Sequence, residues 1–157
     1  MLDALFAGLS ARSRYLRFHS PTPRLTGVVR RGLLDVDGRD RIALVAHTDD
    51  GPVGMTQLVR DARARDEAEV AVAVVDAWQG RGVGRLLVEA AVARARTTGL
   101  DRLHARVLAG NAPALGLFRT VLPLCLTRYD GDVLELVGVL GGGSGITLDD
   151  VLADLLR

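Results

Sequence analysis

Residues 69–98 constrain the fold more than any other part of the chain. They begin with a β-branched apolar run that contains Val70, Val72 and Val74, a pattern typical of a buried central strand. A glycine-rich turn follows at residues 79–84, and the residues after it are nearly all helix formers. The order of strand, glycine turn and helix therefore predicts an α/β domain built around this unit.

The glycine-rich turn has the properties of an anion-binding site. The first N–H groups of a helix have no partner inside the helix, and the helix dipole places partial positive charge there. Since Gly80, Gly82 and Gly84 have no Cβ atoms, these N–H groups can approach phosphate oxygens closely. Arg81 and Arg85 add two guanidinium groups suited to a diphosphate. We interpret the turn as a pyrophosphate-binding loop.

Two common phosphate-binding motifs do not match this turn. A P-loop requires a lysine after its last glycine, and the chain contains no lysine. A dinucleotide-binding fingerprint requires G-x-G-x-x-G, whereas this turn has G-x-G-x-G. The remaining pattern, Q-x-x-G-x-G after a β-branched strand, resembles the coenzyme A-binding core of the GCN5-related N-acetyltransferases.

The resemblance implies that acetyl-CoA is the cosubstrate and that the turn binds its pyrophosphate. The residues implied for this role are Gln79, Gly80, Arg81, Gly82, Val83, Gly84 and Arg85. In the family, an N–H group of the central strand also stabilises the oxyanion formed during acyl transfer. The positions implied for that donor are Ala73, Val74 and Val75.

Asn111 and Phe118 complete the implied cofactor site. Asn111 is predicted to cap a short helix, and the resemblance also implies that it contacts the cofactor. Phe118 stands where family members often carry a tyrosine that protonates the departing thiolate. A phenyl ring cannot donate a proton, so CoA leaves as a thiolate, water supplies the proton, or catalysis is weak.

Glu69 is the candidate general base. The acceptor amine must lose a proton before it attacks, although a free alkylammonium has a pKa of about 10.4. The resemblance implies this role because related transferases carry a glutamate at the start of the same strand. Four strand residues span about 13 Å, so Glu69 could act on the amine through a water molecule. The alternative is a solvent-facing carboxylate with no catalytic role.

The composition is that of one soluble domain without a charged or metal-bound partner. The chain has 157 residues, a net charge of +1 and one cysteine, Cys125. This charge gives no general attraction to nucleic acid or to an anionic membrane, and no apolar run approaches about 18 residues. His47 and His104 lack partners at metal-ligand spacing. We expect a cytoplasmic protein with no metal, nucleic-acid or membrane partner.

The N-terminal segment is expected to contain helices at residues 2–9 and 26–34. Residues 9–25 are similar to a bacterial subgroup that includes the acetyltransferase domains of Pat-type protein lysine acetyltransferases. The segment 10–18 is expected to be a loop. It is either a solvated basic loop or one wall of the acceptor site.

The remaining patterns predict a mixed sheet. The expected strands are 41–47, 53–59 and 102–108, followed by a hairpin of 122–127 and 133–140 around Asp130-Gly131-Asp132. The expected fold class is α/β, like that of the family, with a mostly antiparallel sheet and helices on both faces. Family members usually begin with a strand, whereas this chain begins in the first helix, so the first edge strand is expected to be missing.

Three segments are expected along the chain. Residues 1–140 form the acetyltransferase-like domain, and residues 141–146 form a glycine-rich linker. Residues 147–157 form an amphipathic helix. A helix this short has marginal stability alone in water. It is therefore expected to dock either on its own domain or on a second subunit in a homodimer.

Two functions remain open at this point. The first is an N-acetyltransferase that moves an acetyl group from acetyl-CoA to a primary amine by direct attack. The acceptor is a protein lysine, a polyamine, an amino acid or an antibiotic, and the Pat-like segment favours a protein lysine. The second is an acetyl-CoA-binding sensor or oligomerisation module without catalysis, which Phe118 and the missing strand favour.

Overall fold

The computed structural model describes residues 1–123, 125–141 and 153. A sheet of six strands runs through this part of the chain in the order β1-β2-β3-β4-β6-β5. The strands are β1 (Arg41–Thr48), β2 (Gly51–Arg60), β3 (Glu67–Val74), β4 (Arg102–Leu108), β5 (Leu126–Asp130) and β6 (Val133–Val139). Neighbouring strands are antiparallel except β3 and β4, which are parallel.

Helices cover both faces of the sheet. They are α1 (Leu2–Ala7), α2 (Ala11–Phe18), α3 (Gly27–Leu34), α4 (Val83–Thr97) and α5 (Ala112–Val121), with a single 3-10 turn at Asp76–Trp78. No helix in the described ranges is long and apolar enough to cross a membrane.

The apolar residues form one cluster on each face of the sheet. On one face, α4 and α5 pack against alternate residues of β3, β4 and β6, among them Val70, Leu103 and Leu136. On the other face, Leu2 and Leu5 of α1 pack against β2 and the residue that follows β3. The predicted α/β fold with a mixed, mostly antiparallel sheet between helices is therefore confirmed.

The prediction of a loop at residues 10–18 was wrong, because this segment forms α2. Ser10 caps the helix by accepting a hydrogen bond from the Ser13 N–H at 3.1 Å. His19 ends it in the left-handed conformation, with a φ of 56°. The helix contains no fully buried residue. Because it needs no continuous apolar face, its sequence does not show the pattern from which a helix is recognised.

The last hairpin also differs from its prediction, because β5 begins at Leu126 and not at Leu122. Leu122 follows α5 directly and donates its N–H to the Phe118 carbonyl. Its side chain is 3% exposed, so it belongs to the core beside the helix end. The predicted turn at Asp130-Gly131-Asp132 is confirmed, since Asp130 pairs with Val133 across it.

The first strand and the C-terminal segments stay predictions. The described residues before β1 form helices, and β1 is an edge strand of the sheet. Except for Gly141 and Ala153, the predicted linker 141–146 and helix 147–157 lie outside the described residues.

Candidate active site

The two central strands separate in the middle of the sheet. β3 and β4 pair only from Glu67 to Glu69, opposite Arg102 to His104. Beyond Glu69, β3 continues to Val74 without a partner on this side. A cavity of about 500 Å³ lies in the resulting gap, and α2, α4 and α5 contribute to its walls. The gap is thus a break in the sheet ladder that a ligand can enter.

Most of the residues expected to bind the cofactor line this cavity. They are Ala73, Val74, Gln79, Gly80, Gly82, Gly84, Arg85, Asn111 and Phe118. Three others lie beside it. Val75 and Val83 pack in the apolar cluster with α1, and the guanidinium carbon of Arg81 is 5.1 Å from the centre of the Trp78 ring.

Backbone geometry makes the glycine turn an open cradle. Gly80 and Gly82 have φ values of 70° and 85°, which side chains other than glycine rarely adopt. Gly82 is the N-cap of α4, and no side chain caps this end of the helix. The first N–H groups of α4 therefore remain available at a cavity wall that Gly84 and Arg85 also line.

The side chain of Gln79 holds the turn against its neighbours. Its Nε2 donates to the Val74 carbonyl at 3.0 Å and to the Ser13 hydroxyl at 3.3 Å. The Asp76 carboxylate accepts from the Ser10 N–H at 3.2 Å. These contacts join the end of β3, the turn and the start of α2. Gln79 thus positions the turn, a role that the motif alone did not reveal.

The pairing of β2 with β3 determines which amides face the gap. The Val75 N–H donates to the Val53 carbonyl at 2.9 Å, so Val75 is not the oxyanion donor that its position in the sequence suggested. Hydrogen-bonded pairs alternate along antiparallel strands, which directs the N–H of Ala73 toward β2 as well. The same alternation turns the N–H groups of Val72 and Val74 into the gap. The sequence thus predicted the Val74 N–H as an oxyanion donor. It did not predict the Val72 N–H, and it did not exclude that of Ala73.

Glu69 differs from the other glutamates because its side chain forms no hydrogen bond or salt bridge within the described chain. Glu67 lies 2.7 Å from His104, and Glu135 lies 3.2 Å from the other nitrogen of the same ring. Glu89 pairs with Arg85 at 2.8 Å. Glu69 is exposed and stands where β3 and β4 part. Among the glutamates, only Glu69 therefore has a carboxylate without a partner in the described part of the chain, and it lies beside the cavity and not in its lining.

Two ionisable side chains at the end of α2, Arg17 and His19, lie near Glu69. Burial lowers the pKa of Arg17, and the nearby negative charge of Glu69 opposes that shift. The pKa of His19 is lowered by burial and by the charges of Arg106 and Arg17, again with Glu69 opposing. The C-terminal end of α2 therefore lies close to the candidate base. The hypothesis that segment 10–18 forms a wall of the site agrees with this position, although the segment is a helix.

Asn111 and Phe118 have structural roles in addition to lining the cavity. The Asn111 Oδ1 accepts a hydrogen bond from the Ala114 N–H at 3.3 Å, so Asn111 caps α5 as predicted. Phe118 is 3% exposed and packs in the core on the α4 side. Among the described residues, no cluster of three or more His, Cys, Asp or Glu side chains could hold a metal ion.

Comparison with known proteins agrees with this geometry. The model of the acetyltransferase (GNAT) family matches residues 11–121. The acetyltransferase Pat of Mycolicibacterium smegmatis is 36% identical over 104 residues, which are 65% of this chain and 31% of that protein. This chain therefore spans about a third of the length of that curated relative.

Solved structures share the fold. The GNAT domain of S. lividans PAT is 31% identical, with a TM-score of 0.81 over 88% of this chain and 82% of that one. A candidate acetyltransferase from Salmonella typhimurium, solved with its cofactor acetyl-CoA, is 20% identical, with a TM-score of 0.59 over 76% and 73% of the two chains. The chain belongs to the GNAT family, whose members are acetyl-CoA-dependent N-acetyltransferases.

Proposed function

We propose that this protein transfers an acetyl group from acetyl-CoA to a primary amine, with Glu69 as the general base. The observation that carries the proposal is the gap between β3 and β4, because it places unpaired amides and a glycine cradle around one cavity, with Glu69 at the point where the two strands part. A sensor that only binds the cofactor would need the cradle but would have no use for Glu69.

The cradle and the gap fit the two parts of the cosubstrate. The N-terminal N–H groups of α4, with Arg85, suit a diphosphate. The small side chains of Ala71 and Ala73 leave room beside the strand for an extended thiol arm. The N–H groups of Val72 and Val74 then provide preorganised donors for the carbonyl oxygen that becomes negative during acyl transfer.

Glu69 removes the proton from the arriving ammonium group. The neutral amine then attacks the thioester carbon, the C–S bond breaks as the C–N bond forms, and CoA departs as a thiolate because Phe118 cannot protonate it. Along β3, Val72 and Val74 lie about 10 and 16 Å from Glu69, so a water molecule relays the proton. General bases of this kind contribute about 10²- to 10⁴-fold to a rate. A protein lysine is a candidate acceptor, because residues 9–25 resemble the acetyltransferase domains of Pat-type protein lysine acetyltransferases and the chain is 36% identical to an acetyltransferase Pat over 104 residues.

The substitution Glu69→Gln tests this role, with Asp50→Asn as the matched control. Both changes replace a carboxylate by its amide, but Asp50 lies exposed in the turn between β1 and β2. Turnover is followed as free CoA thiol over a panel of primary amines, and acetyl-CoA affinity is measured by calorimetry. We expect Glu69→Gln to lose about 10²- to 10⁴-fold in kcat with unchanged affinity.

Two outcomes would contradict the proposal. The first is a Glu69→Gln variant that turns over at the rate of the control, since the base would then be another group. The second is tight acetyl-CoA binding without turnover on any amine of the panel. That result favours the binding module, which the apolar ring of Phe118 at the site of a proton donor also supports.

A further inference from the structure

Arg17 is a half-buried cation that forms no salt bridge with the described residues, although the charge of Glu69 lies near it. Its Nη2 donates to the Gln57 Oε1 at 3.0 Å, which is its only side-chain hydrogen bond in the described part of the chain. No carboxylate there lies within salt-bridge distance of the Arg17 guanidinium. Charged side chains that leave solvent are normally paired. An arginine in this state points to a negative group that arrives with a ligand.

The surroundings of Arg17 hold it at the cavity without neutralising it. Gln57 is 8% exposed, and its Nε2 donates to the Leu33 carbonyl at 3.2 Å. The amide of Gln57 is therefore fixed from the far side and presents only its oxygen to Arg17. Arg17 itself lines the cavity together with Leu16 and Ala73. The neutral partner orients the guanidinium, and its remaining N–H groups stay free for a ligand.

Two of the arginines that line the cavity, Arg17 and Arg106, lie on the side of Glu69. Arg106 of β4 also lines the cavity, and among the described residues its only salt bridge is with exposed Asp130 at 3.5 Å. His19 lies near both arginines and near Glu69. Here two arginines would repel a polycationic amine, and only one free carboxylate would attract it. A zwitterion would place its ammonium near Glu69 and its carboxylate near Arg17.

We propose that the acceptor is an amine that carries a carboxylate, and that Arg17 binds this carboxylate through its free N–H groups. The inference rests on the proposed function, because it names the acceptor class of the same site. A guanidinium binds a carboxylate with two parallel hydrogen bonds, which fixes the distance of the amine from Glu69. The carboxylate belongs either to a free amino acid or to an acidic residue beside a lysine in a peptide.

Matched acceptor pairs test the inference. The pairs are leucine with leucinamide, and a lysine peptide with glutamate beside the lysine and the same peptide with glutamine instead. Spermidine is the polycationic control. We expect the acidic member of one pair to have a kcat/KM about 10- to 100-fold above its neutral partner, as for hydrogen bonds to charged groups. The pair that shows the difference identifies the source of the carboxylate.

Variants assign the preference to Arg17. Arg17→Gln is expected to remove the difference within each pair, whereas Arg24→Gln, which removes an exposed arginine outside the cavity lining, leaves it intact. Arg17→Lys keeps the positive charge but cannot form the two parallel hydrogen bonds of a guanidinium, so it is expected to retain only part of the preference. Thermal unfolding of each variant establishes that it is folded, and Arg17→Lys serves if Arg17→Gln does not fold.

Binding to the CoA-loaded protein separates this inference from the proposed function. If leucine or the acidic peptide binds more tightly than its neutral partner but is not acetylated, the carboxylate site stands and the transferase proposal fails. If neutral amines or spermidine are acetylated as well as the acidic acceptors, the transferase stands and the carboxylate site is wrong. A preference that survives in Arg17→Gln would also overturn the assignment.

Discussion

Replacing Gly82 by alanine should weaken cofactor binding through backbone strain alone. Gly82 is exposed and has a φ of 85°, and a Cβ added there would meet no atom within 4 Å. The substitution therefore creates no clash, but the native turn requires the alanine to adopt the left-handed conformation. This conformation costs an L-residue about 1–2 kcal/mol.

The strain appears in binding because nothing holds the alanine in place in the free protein. Without contacts, the turn relaxes to a negative φ, and the N-terminus of α4 loses its arrangement. Coenzyme A must then restore the left-handed turn, so about 1–2 kcal/mol is lost from the binding free energy. Since 1.4 kcal/mol corresponds to a factor of ten, Kd should rise about 5- to 30-fold.

Gly99 provides a control with the same local geometry. It follows the other end of α4, is exposed, has a φ of 72° and would also place a Cβ in open space. It does not line the cavity. Unlike the turn at Gly82, this one is held in the free protein, because the N–H groups of Gly99 and Leu100 donate to the Arg96 and Ala95 carbonyls. Gly99→Ala should therefore lower Tm by roughly 2–8 °C, the shift expected for 1–2 kcal/mol in a domain of this size, without changing Kd.

Calorimetric titration with coenzyme A, together with thermal unfolding of each variant, measures both quantities. A Gly82→Ala variant that binds coenzyme A as tightly as Gly99→Ala would refute the reasoning. The left-handed turn would then have no part in presenting the N–H groups, and the cofactor would have to lie elsewhere in the cleft.

Two further predictions concern stability. Leu103 is fully buried in the core on the α4 side, and Leu103→Ala should lower the free energy of unfolding by about 2–5 kcal/mol in urea titrations. Partial burial opposes the ionisation of Asp76, but hydrogen bonds from Ser10 and Ser13 outweigh it and leave its pKa lowered. The stabilisation from this carboxylate is therefore complete above its unfolded pKa of about 3.9 and is lost as the pH falls through its lower folded value. Asp76→Asn should flatten the fall in Tm between pH 5 and about pH 2, and an unchanged slope would contradict the hydrogen-bonded role.

The parts of the fold that the sequence predicts are those set by local chemistry. The strand, the glycine turn and α4 depend on β-branched residues, on positive φ at Gly80 and Gly82, and on helix formers, all within one stretch. The caps at Thr26 and Asn111 are equally local, since each accepts a hydrogen bond from an N–H three residues on.

The errors arise where distant contacts decide the structure. α2 has no buried stripe, so its helical form depends on packing against β3 and on the caps at its ends. The apolar run after residue 121 fits a strand or a helix end equally well, and Pro123 favours an extended residue before it. Packing of Leu122 against Gly138, where an added Cβ would lie 2.8 Å from Leu122 Cβ, keeps this residue beside the helix.

The direction of the strand amides could not be predicted from the sequence either. Ala73, Val74 and Val75 are equivalent as candidates, because a shift of one residue in the register of β2 and β3 reverses every N–H. The hydrogen bond from Val75 to Val53 fixes the register. The ion pairs of the other glutamates, which the sequence does not show, add to the case for Glu69.

One helix, α2, connects the cofactor turn, which is set by local sequence, with the acceptor side of the site, which depends on distant contacts. The start of α2 contacts the cofactor turn, through Ser13 to Gln79 and through Ser10 to Asp76. The end of α2 brings Arg17 and His19 to the acceptor side, near Glu69. Because α2 has no fully buried side chain of its own, its position depends on these contacts and on those of Arg14 with the Phe6 and Pro23 carbonyls. Changes at the start of α2 should therefore alter acceptor preference as well as cofactor affinity, whereas changes at Gly82 should alter affinity alone.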